Sequence, residues 1–582
     1  MSEDQHGGDF DLLLRGARIV DGTGAPPFTG DVGIRGDTIA AIGEIDGSAA
    51  QVVDAEGLIL CPGFVDPHTH YDAQLFWDPL ATPSSLHGVT TVISGNCGFT
   101  LAPLAEGDAD YTARMMANVE GMSLDALMQA LPWDWRGFGD YLGHLDGRIA
   151  VNAGFLVGHC AIRRAVMGAD AIGSEASPDQ IDAMREMLRE GLSAGGMGFS
   201  TSRAFTHSDG AGDPVASRWA SRDEVLSLSE EVRAHPGTTL EFIFDGCLNG
   251  FEEDEIALAA EMSVAADRPA NWNVLTVSAS DEQNVRAQLA ACDAAAERGG
   301  RIVALTMPVI VDLCMSFKNH CALHKLPGWA EILEGPLDER IERLQDPSVR
   351  AAMQAGARSK EAGVLRGVAH WGSYQIGAGT NAAQEALRGR SVAEIAAERG
   401  ADEFDTLVEI VVADELSTIL WPISRADDEA SWSLRQEVWD HPNVMLGGSD
   451  AGAHLDRMCG APYPTLFLAD VLRGRGLVSL ERAVAMMTSE PADLFGLVGR
   501  GRIAVGGQAD LVLFDPETVG ATGAHAVEDL PDGSLRLVSD PIGVRKVFVN
   551  GVLTVDEGTP TDARAGTLLR SGRDSETVRV SG

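Results

Sequence analysis

Between residues 64 and 446 the chain returns eight times to a short apolar run, and helical stretches separate most of the runs. The runs lie at 64–66, 90–93, 151–157, 196–200, 239–244, 271–277, 301–307 and 444–446. Runs of this length read as strands, and the intervening spacing reads as helix. One clear case is 178–192, with Ile181, Met184, Leu188 and Leu192 at helical intervals. Ser177 precedes Pro178 there, an N-cap followed by proline at the first helical position. Eight strands alternating with helices over about 400 residues predict an α/β chain closed into a (β/α)8 barrel of the TIM type. A doubly wound open sheet satisfies the same count, but no GxGxxG opens a helix after the first strand.

The two ends have a different texture. Residues 11–60 and 499–549 hold short apolar runs bounded by Gly and Asp, and Asn550-Gly551 is a hairpin turn signal. The economical reading pairs 1–62 with 480–582 in one small β-sandwich domain, with the barrel spanning 63–479. About 135 residues separate the seventh run from the eighth, far more than a barrel loop requires. That stretch predicts a helical insertion at 316–440, with helices near 336–344, 392–399 and 404–416, capping the barrel mouth. The last dozen residues read as a frayed tail.

Composition narrows the partners. Lys and Arg number 44 against 86 Asp and Glu, a net charge of −42, and 45% of residues are hydrophobic. Such a charge repels phosphate backbones and anionic membranes, which excludes nucleic acid and membrane surfaces as partners. Eight scattered cysteines without a CxxC pair fit a reducing compartment. No secretory leader and no run of about 20 apolar residues is visible, so the expectation is a soluble, cytoplasmic protein acting on a small molecule. A homo-oligomer stays open.

Three segments carry chemistry. Pro62–His70 reads PGFVDPHTH, so alternation puts His68 and His70 on one side at the end of the first strand. Paired neutral imidazoles suit Zn2+. Cys97 lies past the second strand in a Gly-Asn-Cys-Gly turn, where a metal would hold its thiolate. Asp450 ends the eighth strand in GGSD, and barrel closure brings it opposite the histidines as ligand and base.

Together PGFVDPHTHYD, GVTTVISGNCG, GGSD and the closing ADLVLFDP resemble the metal-dependent amidohydrolase superfamily. Within it the chain is similar to the N-acyl-D-amino-acid deacylase (D-aminoacylase) group, from about residue 10 to about residue 560. The resemblance implies a barrel flanked by a β-sandwich from both termini and zinc-assisted attack of water on an amide. It assigns His68, His70 and Cys97 to metal-ligand positions and Asp450 to the catalytic aspartate.

The group also places one histidine on strand five and one on strand six. Here those segments read TTLEFIFD and NWNVLT, without histidine. Either the second ion is lost, leaving one Zn2+ on His68, His70 and Asp450 with Cys97 in support, or Glu241, Asp245 or Asn273 replaces the imidazoles. The single ion is favoured. His159, His207, His370 and His454 are further candidates, as are His320 and His324 on one helical face. Arg203 and Arg457 are candidate clamps for a substrate carboxylate. The function expected is deacylation of an N-acyl (D-)amino acid. The alternatives are a single-metal deaminase, cyclic amide hydrolase or decarboxylase, or a binding protein with a degraded site.

Overall fold

The computed structural model describes residues 8–318, 322–377, 381–422 and 426–580. It comprises two compact units: 1–309 with 429–455 and 459–582, and 310–428 with 456–458.

In the larger unit the eight barrel strands are Phe64–Asp66, Val89–Ser94, Asn152–Phe155 (resumed at Val157–Gly158), Gly198–Ser202, Thr239–Ile243, Ala270–Trp272, Ile302–Thr306 and Val444–Leu446. Neighbours from the first to the eighth pair in parallel. The Leu156 N–H donates to Ser94 O where the third strand is interrupted, 2.9 Å. Closure between strands eight and one is made just past their C-terminal ends. Thr69 bridges Ala451 in parallel. His70 N–H donates to Ala451 O at 2.8 Å and Asp450 N–H to His68 O at 3.2 Å. The backbone that seals the ring is therefore the backbone that carries the candidate ligands.

Crossover helices form where the sequence caps them. In Pro178–Ser193, Ser177 and Gln180 make a reciprocal capping box, and Met184, Leu188 and Leu192 are buried. Val65, Ile93, Leu156, Leu305 and Met445 join Leu494 and Leu569 in one apolar cluster.

The two chain ends meet in a nine-stranded sheet. Its seam is Leu511–Phe514, antiparallel to Ile59–Pro62, and Leu12, Ile19, Val32, Leu60, Leu511, Leu513 and Phe548 form its core. The second contribution begins later than residue 480. Helices Leu480–Met487 and Ser489–Leu494 pack on the first and eighth barrel strands. Buried Ala483, Val484, Met486 and Met487 of the first make an apolar face suited to the barrel exterior.

The frayed tail is a correction. Within the last dozen residues Ser571 N–H donates to Gly195 O and Glu576 N–H to Gly496 O, and Asp574 O accepts the Val498 N–H. Ser575 Oγ–H donates to Gly237 O, 2.6 Å. Polar composition hid a segment held mainly through its backbone.

The smaller unit holds helices Leu337–Gln345, Pro347–Arg358, Val392–Arg399 and Glu403–Ala413. They enclose their own core, which includes Phe317, Trp329, Leu344, Trp371, Leu407 and Val411. Trp329 stacks on Trp371 with centroids 5.4 Å apart. The unit starts before 316 and ends before 440. Helix Glu429–Trp439 belongs to the larger unit, where Glu437 pairs with Arg286. Among the described residues no helix is long and apolar enough to cross a membrane.

Candidate metal centre

The first strand ends at Asp66, a buried carboxylate that accepts hydrogen bonds from Ser449 Oγ–H and from the His68 N–H, the latter at 3.4 Å. Burial pushes Asp66 up to about 6. Thr69 turns the other way and donates to Ile93 O, so His68 and His70 project to one side with ring centroids 5.3 Å apart. His68 Nε2 and His70 Nε2 stand 3.7 and 3.0 Å from the same oxygen, Asp450 Oδ1. Cys97 Sγ lies 3.6 Å from His68 Nε2.

Tight turns aim these groups. Cys97 has φ +56° between Gly95 and Gly98, and Asp450 has φ +59° with Gly452 following at φ +91°. A Cβ on Gly452 would meet His70 O at 2.5 Å, so only glycine lets the loop after strand eight lie against the histidine segment.

Electrostatics polarises the cluster. Burial pulls both imidazoles down. It prevails at His68, held at about 3, whereas Glu120 and Asp450 carry His70 up to about 10. Burial works against ionisation of Asp450 too, yet the bond and charge of His70 keep it well below the usual carboxylate range. Burial, then Glu241 and Glu120, raise the Cys97 thiol well above its ordinary value, so a cation is needed to hold a thiolate there. His68 Nδ1 is buried without a hydrogen-bond partner, and the two ring nitrogens of His70 face carboxylate oxygens of Asp450 and Glu120. One donor atom each from His68, His70 and Cys97 lie within 4.8 Å of one another, and so do those of His70, Glu120 and Asp450. Two imidazoles, a thiol and a carboxylate oxygen converging in a buried pocket fit a divalent ion such as Zn2+.

The other candidates divide. Glu241, fully buried on strand five, accepts the Cys97 N–H on Oε2 at 2.7 Å while its Oε1 has no partner. Burial pushes it up to about 8. Cys97 Sγ–H points to Asn273 Oδ1, 3.7 Å away, so strands five and six each bring an oxygen donor towards the thiol. His207 bonds Ser202 Oγ at 2.7 Å and sits edge-on to Phe99 at 5.0 Å. Burial lowers it to about 3, and His454, His70 and Asp450 are the charges that act on it most. His159 is tied elsewhere, to Thr201 Oγ1 and Glu224, both at 2.8 Å. Arg203 donates to Ala220 O, and the Asp245 carboxylate accepts the Phe205 N–H. His370, His324 and Arg457 belong to the smaller unit, where Arg457 Nε donates to Asp456 at 2.7 Å. His320 lies outside the described residues.

Two acids at the centre were not among the sequence candidates. Asp72 accepts the Gly95 N–H at 3.2 Å, and Glu120 faces His70 Nδ1 at 3.5 Å. Asp72 closes the HTHYD segment and was legible as a neighbour. Glu120 follows an ordinary amphipathic helix and had no local signal. His454 Nε2 is 3.5 Å from Asp450 Oδ2, a contact that its i, i+4 spacing foreshadows.

The amidohydrolase family profile matches residues 51–555. The chain belongs to that family. Among its family relatives is a D-aminoacylase of Alcaligenes xylosoxydans xylosoxydans, 31% identical over 96% of this chain and 97% of the relative. The solved N-acyl-D-glutamate deacylase of Bordetella bronchiseptica, complexed with zinc and a phosphonate mimic of the tetrahedral intermediate, superposes with TM-score 0.63. It is 25% identical and covers 97% of this chain and 100% of its own. A D-aminoacylase with a binuclear metal centre, described by one-metal activation and second-metal attenuation, superposes at 0.62 with 27% identity. It covers 96% of this chain and 100% of its own. Metal use is a property of these family members, and the donor set here supports it.

Proposed function

We propose that this amidohydrolase removes the acyl group from an N-acyl (D-)amino acid with the help of one Zn2+. The observation that carries the reading is the convergence of both imidazole Nε2 atoms and Asp450 Oδ1 beside the Cys97 thiol. His68 and His70 would hold the ion, with Asp450 and Cys97 beside them. The ion, when bound, supplies Lewis acidity that acidifies water and polarises the scissile carbonyl.

The chain's own groups do the rest. Asp450, a partly exposed carboxylate kept ionised by His70, takes the proton of the attacking water and returns it to the leaving amine. His454 beside Oδ2 holds the Asp450 carboxylate in orientation. The buried walls around His68, Thr69 and Asn96 exclude bulk water from the reacting atoms.

A second reading, a single-metal deaminase or cyclic amide hydrolase, is favoured by one observation. Glu241 and Asn273 stand where histidines are absent from strands five and six, which changes the donors around the thiol. Zn2+-loaded protein screened against N-acyl D- and L-amino acids, lactams and cyclic imides separates the two. Release of a free acid from the N-acyl D-amino acids is the expected result, and turnover of cyclic substrates alone would displace it. Asp450→Asn is expected to keep the bound ion and the fold yet lose at least about 1000-fold in kcat, about 4 kcal/mol of barrier. A variant turning over near the wild-type rate would remove Asp450 from the mechanism.

A further inference from the structure

The chain places a carboxylate at this centre that no motif announces. Glu120 follows the helix Ala109–Val119 and is 3% exposed. Its backbone carbonyl accepts the His454 N–H, which ties the loop after the second strand to the loop after the eighth. Its Oε1 stands 3.5 Å from His70 Nδ1, and among the described residues this is the ion pair it makes. The His70 ring is thus held between two acids, with Asp450 Oδ1 at 3.0 Å from Nε2 on its other edge.

The two edges are not equivalent. His70 Nε2 shares Asp450 Oδ1 with His68 Nε2, so the Nε2 edge faces the convergence point of the donors. Nδ1 faces Glu120. An imidazole that ligates through one nitrogen needs a proton, and an acceptor for it, on the other. A carboxylate this deep is costly without a positive partner, and no Arg or Lys pairs with Glu120 among the described residues. The imidazole is what its burial serves.

We propose that Glu120 is the positioning residue of His70: it accepts the Nδ1–H, fixes the ring's tautomer and direction, and strengthens Nε2 as a metal ligand. The assignment rests on the metal reading above and adds to it a residue from a different element.

The test uses the full chain stripped of metal, with Zn2+ affinity read by competition against a chromophoric chelator. Glu120→Gln is expected to weaken Zn2+ binding about 10- to 100-fold, with the metal-free protein still folded. Glu120→Asp, which keeps the charge, is expected to fall between Glu120→Gln and wild type, and it carries the test should the glutamine variant not fold. With Co2+ bound, the visible absorption of Glu120→Gln is expected to keep the wild-type intensity, because no ligand has been removed. Affinities within about twofold of wild type overturn the assignment. So does a loss of metal-free stability with Zn2+ affinity unchanged, which marks a purely structural acid. A collapse of the Co2+ band overturns it as well, by making Glu120 a ligand. A wild-type chain that takes up no Zn2+ brings down the metal reading itself, and is recognised without any variant.

Discussion

Gly452 shows how much of the centre depends on one missing side chain. It lies two residues past Asp450 at φ +91°, against His70 O. An added methyl at 2.5 Å from a backbone carbonyl has no flexible neighbour to displace, and positive φ adds strain for any L side chain. Gly452→Ala is therefore expected to cost about 1–3 kcal/mol of stability and to push Asp450 away from the histidines. Thermal unfolding and Zn2+ affinity measured together check this. A variant that loses neither shows that the loop tolerates the shift. Cys97, at φ +56°, stands in a comparable turn between Gly95 and Gly98. Its Sγ meets His68, and the Glu241 carboxylate on strand five accepts its N–H.

At the scale of elements, contacts over long sequence separations tie the barrel to the C-terminal part of the chain. His87, just before the second barrel strand, is buried with Nδ1 at 2.7 Å from Thr465 Oγ1 and Nε2 at 2.9 Å from Ser539 O. The carbonyl can only accept, so Nε2 carries the proton of a neutral ring. Burial lowers His87 to about 4 from 6.5. The unfolded chain then binds more protons below about pH 6.5, so the stabilisation is full above that pH and is lost as pH falls through about 4. The full span is on the order of 3 kcal/mol. His87→Gln is expected to be less stable at neutral pH by about 1–2 kcal/mol, with a flatter loss of stability on acidification. Urea unfolding at pH 7.5, 6, 5 and 4 reads both effects, and an unchanged slope would show that His87 does not titrate on unfolding. The capped helix Pro178–Ser193 was legible from Ser177, Pro178 and Gln180, because capping and helical periodicity are local. The C-terminal tail was not, because hydrogen bonds that fix it go to Gly195 and Gly237, hundreds of residues away.

For the whole molecule the charge of −42 sets the solution behaviour. Many of the basic side chains are committed to ion pairs with acids, such as Arg164 with Asp108 and Arg502 with Asp493. The surplus acids repel one another across the surface. Raising NaCl from about 10 mM to about 0.5 M shortens the screening length severalfold and is expected to raise the melting temperature by several degrees. A melting temperature that falls over this range would mean that exposed ion pairs outweigh the repulsion.

The sequence by itself determined the closed barrel and the joining of the two ends into one sheet, and it singled out His68, His70, Cys97 and Asp450 as the candidate ligands that the fold brings together. Each is written in local patterns: strand and helix periods, a two-residue alternation, glycines that force a turn. Only the tertiary structure decided which acids join that quartet. Glu120 and Glu241 lie on different elements from the histidines, and His159, in an equally suggestive position, is claimed by Glu224 instead. Such pairings depend on how barrel strands and their loops stack around the ring, a long-range packing outcome that no short window of residues encodes.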